Sequence, residues 1–293
     1  MEKITIHAMA KINLGLDVLR RRENGYHDVK MIMQNVNIYD TLEFIKLQEP
    51  VIKVKTDSMD LPVDENNLIY KAAKLLFEKG GVTEGVEITL TKRIPIAAGM
   101  AGGSTDAAAA LVGANRLFHL GLTVEELKNI GVKIGADVPY CIEGGTALSE
   151  GIGEILTKLP DAPGCFVVVA KPEISVSTKY VYENLHANEL TYHPDIDGMV
   201  DAIKQGDLEG VCKRMENVLE TVTEAKYPVI SQIKSLLKEA GAENALMSGS
   251  GPTVFAIFKE EETANLALEK VKASGLAKQS FVTVFAKESQ VLG

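Results

Sequence analysis

Apolar and polar residues change rhythm repeatedly along the chain, and each change marks an element. Residues 86–91 alternate apolar and polar, the period of a half-buried strand. After a loop, residues 104–118 are rich in alanine and leucine and predict a helix. Thr123 with Glu126 makes a capping-box pattern, which predicts a short helix from Val124 towards Ile130. Residues 64–79 read as a helix entered from a polar cap. A continuous valine-rich run at 165–170 suits a buried strand, and Pro163 and Gly164 before it mark a turn. Residues 207–220 and 227–240 predict helices, the second with Pro228 near its start and Gly241 just past its end. A strand at 253–258, a helix at 260–273 and a last strand at 281–286 complete the pattern. Interleaving of this kind implies an α+β chain of two lobes, divided as 1–162 and 163–293.

Composition narrows the class of protein. The 293 residues can bury a substantial core, and 46% hydrophobic with 24% charged residues is a globular balance without bulk disorder. A net charge of -9 argues against a nucleic-acid partner. It also means that a polyanionic ligand has to be held by local donors. Cys141, Cys165 and Cys212 are far apart and form no C-x-x-C, so neither a disulfide framework nor a zinc site is expected, and a reducing compartment fits. The start of the chain has no apolar signal core and no run approaches a membrane span, so the expected location is the cytoplasm, without a membrane partner.

Local donors are available in residues 95–106. Pro95, Ile96, Ala97, Ala98, Gly99, Met100, Ala101, Gly102, Gly103, Ser104, Thr105 and Asp106 form a run of small residues that lets backbone approach a ligand closely. The predicted helix follows at once, so free N–H groups and a positive dipole end face the loop. That is an anion site. Ser104 and Thr105 could cap the helix, bind phosphate or help hold a cation. Taken alone, such a turn is more often just a tight connection. No G-x-x-x-x-G-K-[ST] is present, and Gly249-Ser250-Gly251 falls between a predicted helix and a predicted strand, the wrong setting for a dinucleotide fingerprint.

Two further segments change the meaning of the loop. Residues 10–16 place Lys11 and Asn13 in an apolar strand-like run, two apart and so on one face. Residues 247–253 form a second small-residue loop. Together and in this order, the three segments resemble the motifs of the GHMP kinases, small-molecule kinases that include homoserine and mevalonate kinases. Asn24-Gly25-Tyr26-His27, together with the segments 64–69, 134–139 and 144–147, is similar to the branch that phosphorylates a cytidine diphosphate-linked methylerythritol.

The resemblance implies a two-lobed fold, with a first lobe like ribosomal protein S5 domain 2, a ferredoxin-like second lobe and the active site between them. It implies ATP and Mg²⁺ as cofactors. Asp137 matches the family's catalytic aspartate and Lys11 its partner: a carboxylate accepts the proton of a weakly nucleophilic alcohol, and an ammonium offsets the developing alkoxide. Tyr26 and His27 match the cytosine-recognising positions, Tyr182 is the opposing aromatic, and Asn13 matches a substrate-contacting amide. Asn67 and the loop from Pro95 to Thr105 match the ATP side, with Lys92 a further candidate there. Ser104, Thr105 or Asp106 could contribute to Mg²⁺, or phosphates and water could hold it. The family loop often has glycine where Ala98 and Ala101 stand here. The expectation is that both alanines keep negative φ, because positive φ is costly for alanine. Homoserine or mevalonate kinase is the alternative within the family, but neither needs Tyr26 and His27. A catalytically silent nucleotide binder is the alternative outside it, and that would need neither Lys11 nor Asp137.

Overall fold

The computed structural model describes residues 2–287. Two long strands, β1 (Lys3–Arg21) and β2 (His27–Leu47), form an antiparallel hairpin at the centre of the first sheet. Strands β3 (Ile52–Thr56), β4 (Gly85–Thr91), β5 (Thr146–Glu150) and β6 (Ile155–Lys158) extend it in the order β3-β4-β2-β5-β6, with β1 also paired to β2. Helices α1 (Leu68–Gly80), α2 (Gly102–Leu117), α3 (Val124–Gly131) and α4 (Val138–Glu143) accompany this sheet. Helix α2 is buried along most of its length, and its alanines let it sit close to the strands. Gly113 shows how close: a Cβ there would stand 2.4 Å from the Phe44 ring.

The second sheet takes β7 (Phe166–Lys171), β8 (Asn244–Met247), β9 (Val254–Phe258) and β10 (Gln279–Val284) in the order β10-β7-β9-β8. Counted within this lobe the order is 4-1-3-2, all antiparallel, the arrangement of a ferredoxin-like unit. Between β7 and β8 run α5 (Thr178–Asn184), α6 (Ile196–Lys204), α7 (Leu208–Lys213), α8 (Glu220–Lys226) and α9 (Val229–Glu239). Helix α10 (Glu261–Ser274) joins β9 to β10.

Strand β1 is bent twice to serve two cores. Ile6 and Ala8 enter one core with α1 and α2; Ala10, Ile12 and Leu14 enter a second core with Val167, Val169, Phe255 and Ile257; Leu16 and Val18 return to the first. Register shifts between Met9 and Lys11 and between Asn13 and Gly15 fall where the core assignment changes. An extra residue in one strand exchanges its two faces. The shift between Asn13 and Gly15 is of this kind, with the extra residue in β1; the one between Met9 and Lys11 slips the pairing by two, so that Met9 faces Tyr39 and Lys11 faces Asn35.

Several expectations need correction. The helix after the glycine-rich loop starts at Gly102, two residues before Ser104, and the helix expected from residue 64 starts at Leu68, because Asp64 to Asn67 form the turn that caps it. Residues 207–220 are not one helix: α7 stops at Lys213, and Asn217 lies in a parallel bridge with Leu16 before α8 begins. Residues 247–253 connect two strands, since the short strand β8 precedes them. Ala98 keeps an ordinary backbone, but Ala101 has φ 55° and Ala97 φ 50°. The capping box at Thr123 and Glu126 is present as expected.

Candidate active site

A cavity of about 880 Å³ opens where the two lobes meet, lined by β1, the glycine-rich loop, the Tyr26–His27 turn, Asp137 and the 247–253 loop. Lys11 is 5% exposed and Asn13 fully buried, so both need internal partners. The Lys11 ammonium donates to Asn13 Oδ1 at 2.8 Å and lies 3.6 Å from Asp137 Oδ2. Asp137 stands at the start of α4 with its side chain 30% exposed, accessible from the cavity.

A hydrogen-bond chain ties α4, which begins beside Asp137, to β1 beside Lys11. The buried Tyr140 hydroxyl, on α4, donates to the Gly145 carbonyl at 2.7 Å and lies 3.2 Å from Asn35 Oδ1. Asn35 on β2 accepts from the Gly145 N–H at 2.8 Å and donates to the carbonyl of Ala10, the neighbour of Lys11. Sequence reasoning missed Asn35 and Tyr140, and no local pattern signals them.

The glycine-rich loop is anchored to β1 at the first register shift. Thr105 Oγ1 donates to the Met9 carbonyl at 2.8 Å, and the Lys11 N–H donates to the Met100 carbonyl at 3.2 Å. Ala98, Gly99, Ala101, Gly102, Gly103 and Ser104 line the cavity; Met100 and Thr105 turn inward and are buried. Pro95 and Ile96 line an adjoining cavity of about 770 Å³ across the loop, and Ala97 lines both. Asn67 lines neither; its Oδ1 caps α1 by accepting from the Ile69 N–H, and the next residue, Leu68, reaches the main cavity. Gly99 permits the closest approach to the other lobe: at φ 72°, a Cβ there would lie 2.2 Å from the Ser248 carbonyl oxygen. Ser248 Oγ donates to the Gly99 carbonyl at 2.9 Å. Asn217, also missed in the sequence, donates to the carbonyls of Met247 and Gly249 at 2.8 Å each and holds that second loop.

Beneath the loop lies an ion cluster. Lys92 Nζ contacts Asp40 at 2.5 Å and Asp106 at 2.6 Å, and Asp40 also accepts from the N–H groups of Arg93 and Ile94. Burial works against the Lys92 charge, but Asp106 and Asp40 outweigh it and raise its pKa above the ordinary lysine value. Burial, with the charge of Asp40 adding to it and that of Lys92 opposing, pushes Asp106 well above the usual carboxylate range. Lys92 thus braces the strand that delivers the loop and holds Oδ2 of Asp106, whose Oδ1 has no hydrogen-bond partner among the described residues.

At the far end of the cavity, His27 is 7% exposed and its Nε2 has no hydrogen-bond partner among the described residues. Burial, then the Arg21 charge, lowers its pKa below the usual histidine value, so the ring is neutral at pH 7. Its ring lies 5.1 Å from that of Tyr182, while Tyr26 is 59% exposed. The structure therefore brings Lys11, Asn13, Asp137, Tyr26, His27, Tyr182 and the loop face from Ala97 to Ser104 around one space.

The GHMP kinases N terminal domain matches residues 67–145, and the GHMP kinases C terminal domain matches residues 199–277. A 4-diphosphocytidyl-2-C-methyl-D-erythritol kinase of Lachnospira eligens is 54% identical over 283 residues, covering 97% of this chain and 98% of that protein. This chain belongs to the GHMP kinase family. A second such kinase, from Lachnoclostridium phytofermentans, is 52% identical, covering 99% of this chain and all of the relative. A solved structure described as 4-(cytidine 5'-diphospho)-2C-methyl-D-erythritol kinase superposes with a TM-score of 0.82 at 29% identity, covering 97% of this chain and 99% of that one. The GHMP kinase fold expected from the sequence, S5 domain 2-like then ferredoxin-like, is the one described above. Among the described residues no helix is long and apolar enough to cross a membrane.

Proposed function

We propose that this GHMP kinase transfers the γ-phosphoryl group of ATP to the 2-hydroxyl of 4-diphosphocytidyl-2-C-methyl-D-erythritol, with Asp137 receiving the hydroxyl proton. The observation that carries the reading is the shared cavity: a small-residue anion loop, a lysine–aspartate pair and a histidine with a free buried nitrogen all face it. ATP phosphates rest on the loop from Ala98 to Ser104, where helix N-terminal N–H groups point outward. Lys11 offsets the charge that develops on the alkoxide, and Asn13 fixes Lys11 and contacts the substrate. The neutral ring of His27 hydrogen-bonds the cytosine edge while Tyr26 and Tyr182 flank the base. The lobes divide near Pro163, in the link between β6 and β7.

Mg²⁺ is the cation that neutralises phosphates during such a transfer. Among the described residues no cluster of three His, Cys, Asp or Glu side chains offers a metal cage, so the ion rides mainly on phosphates and water. Of the three candidate protein ligands, Ser104 faces the cavity; Thr105 is bonded to Met9 and Asp106 to Lys92. The three cysteines are free and buried, which fits a reducing cytoplasm.

An ADP-release assay over a panel of alcohols tests the substrate. Turnover is expected with the cytidyl substrate and not with homoserine or mevalonate; turnover with either of those and none with the cytidyl compound would overturn the reading.

A further inference from the structure

Arg20, Arg21 and Arg22 stand together at the end of β1, yet they do different work. Side chains alternate along an extended chain. Arg20 and Arg22 both pair with Asp28, at 2.5 Å each, and their charges are thereby compensated. Arg21 lines the cavity instead, directly opposite His27 in the β1–β2 register. Its backbone N–H is pinned by Asn188 Oδ1 at 3.0 Å.

The other cations of the cavity have acidic neighbours: Lys11 lies 3.6 Å from Asp137, and Lys179 lies 3.8 Å from Glu183. Among the described residues, no carboxylate pairs with the Arg21 guanidinium. In a chain of net charge -9, an uncompensated arginine facing a cavity is a local attractor for an anion. Guanidinium presents paired N–H donors that match two phosphate oxygens, which an ammonium does not.

On the substrate reading above, the cytosine sits at His27 and the reacting hydroxyl at Lys11 and Asp137, so the diphosphate spans the distance between. We propose that Arg21 binds this diphosphate, at the phosphate nearer the cytidine, and so selects a nucleoside diphosphate-linked alcohol over a free one. This inference rests on that reading. Arg21 also faces His27, whose ring stays neutral partly under its charge. The two residues then form one recognition unit, a neutral acceptor for the base beside a cation for the phosphate.

The test compares cytidine and cytidine 5'-diphosphate as competitors of the alcohol substrate, in the parent enzyme and in Arg21→Gln and Arg21→Lys. Measurements at pH 8 keep His27 neutral in all three. The parent is expected to prefer the diphosphate strongly. Arg21→Gln should lose about tenfold or more of that preference, with cytidine affinity and the KM for ATP held within about twofold. Arg21→Lys should lose less. Unchanged cytidine affinity also reports that the variant is folded. If the parent binds both compounds and the preference in Arg21→Gln is unaltered, the assignment of Arg21 is overturned and the substrate reading stands. If the parent binds neither compound in competition with the alcohol, the substrate reading itself is overturned.

Discussion

His27 shows what a single residue contributes when its environment is counted. Its burial lowers the pKa, Arg21 lowers it further, and Nε2 is left without a partner among the described residues. A buried polar atom without a partner is costly, and a ligand that supplies one recovers that cost on binding. For a base whose folded pKa is depressed, the favourable neutral state persists above the ordinary value near 6.5 and is lost as pH falls through the lowered one. The KM for the cytidyl substrate should therefore be flat above pH 6.5 and rise on further acidification. His27→Ala should raise that KM about tenfold or more, leave kcat little changed and remove the acid limb. A parent-like KM would take base recognition away from His27.

At the same scale, the sequence shows some site residues and hides others. Lys11 and Asn13 are legible because a cation and an amide, two apart, interrupt an apolar run. Asp137 is not legible alone, since an aspartate before Val-Pro reads as a turn; family resemblance singles it out. Asn35, Tyr140 and Asn217 leave no local signal. Tyr140 and Asn35 are 105 positions apart in sequence, and Asn217 acts on carbonyls 30 and 32 positions away. Only the folded chain brings such partners together.

Among elements, the glycine-rich loop departs most from expectation. Ala101 takes the left-handed conformation at the entry to α2, without a side-chain cap. That backbone costs an alanine about 1–2 kcal/mol. It is sustained by the anchors on either side, Met100 to Lys11 and Ser248 to Gly99. Ala101→Gly relieves the strain and pays about 0.4–1 kcal/mol through the freer unfolded chain, so its net effect should be neutral to stabilising by about 1 kcal/mol. Ala109→Gly, in the buried interior of the same helix, should lose about 1 kcal/mol or more. Urea unfolding of both variants checks the contrast, and a destabilised Ala101→Gly would refute the strain at that position.

The irregular pairing of β1 with β2 is the other feature of element scale that the pattern conceals. Ile6, Ala8, Ala10, Ile12, Leu14, Leu16 and Val18 read as one apolar face of an unbroken strand, yet they divide between two cores. A bulge adds a residue without a hydrophobic signature, so period alone does not locate it. The long helix expected over residues 207–220 fails for a related reason. Tertiary pairing with Leu16 takes the 216–218 segment out of helical geometry, and helix propensity is too weak to resist it.

Over the whole molecule, the alternation of strands and helices is enough to indicate an α+β chain of two lobes, because each element carries its own period. The inter-lobe geometry is not readable that way, since it depends on which faces meet. In the structure both lobes build the cavity: the first contributes Lys11, Asp137 and the glycine-rich loop, while the second contributes Tyr182 and the 247–253 loop. On the proposed function, this shared space is where a phosphoryl group passes to an alcohol whose proton goes to Asp137. Steady-state kinetics of Asp137→Asn, with ATP affinity measured alongside, test that claim most directly. A proton-accepting role for Asp137 predicts that kcat falls by about 10²–10⁴-fold while ATP binds within about twofold of the parent, because the glycine-rich loop is untouched. Near-parental kcat in Asp137→Asn would contradict it.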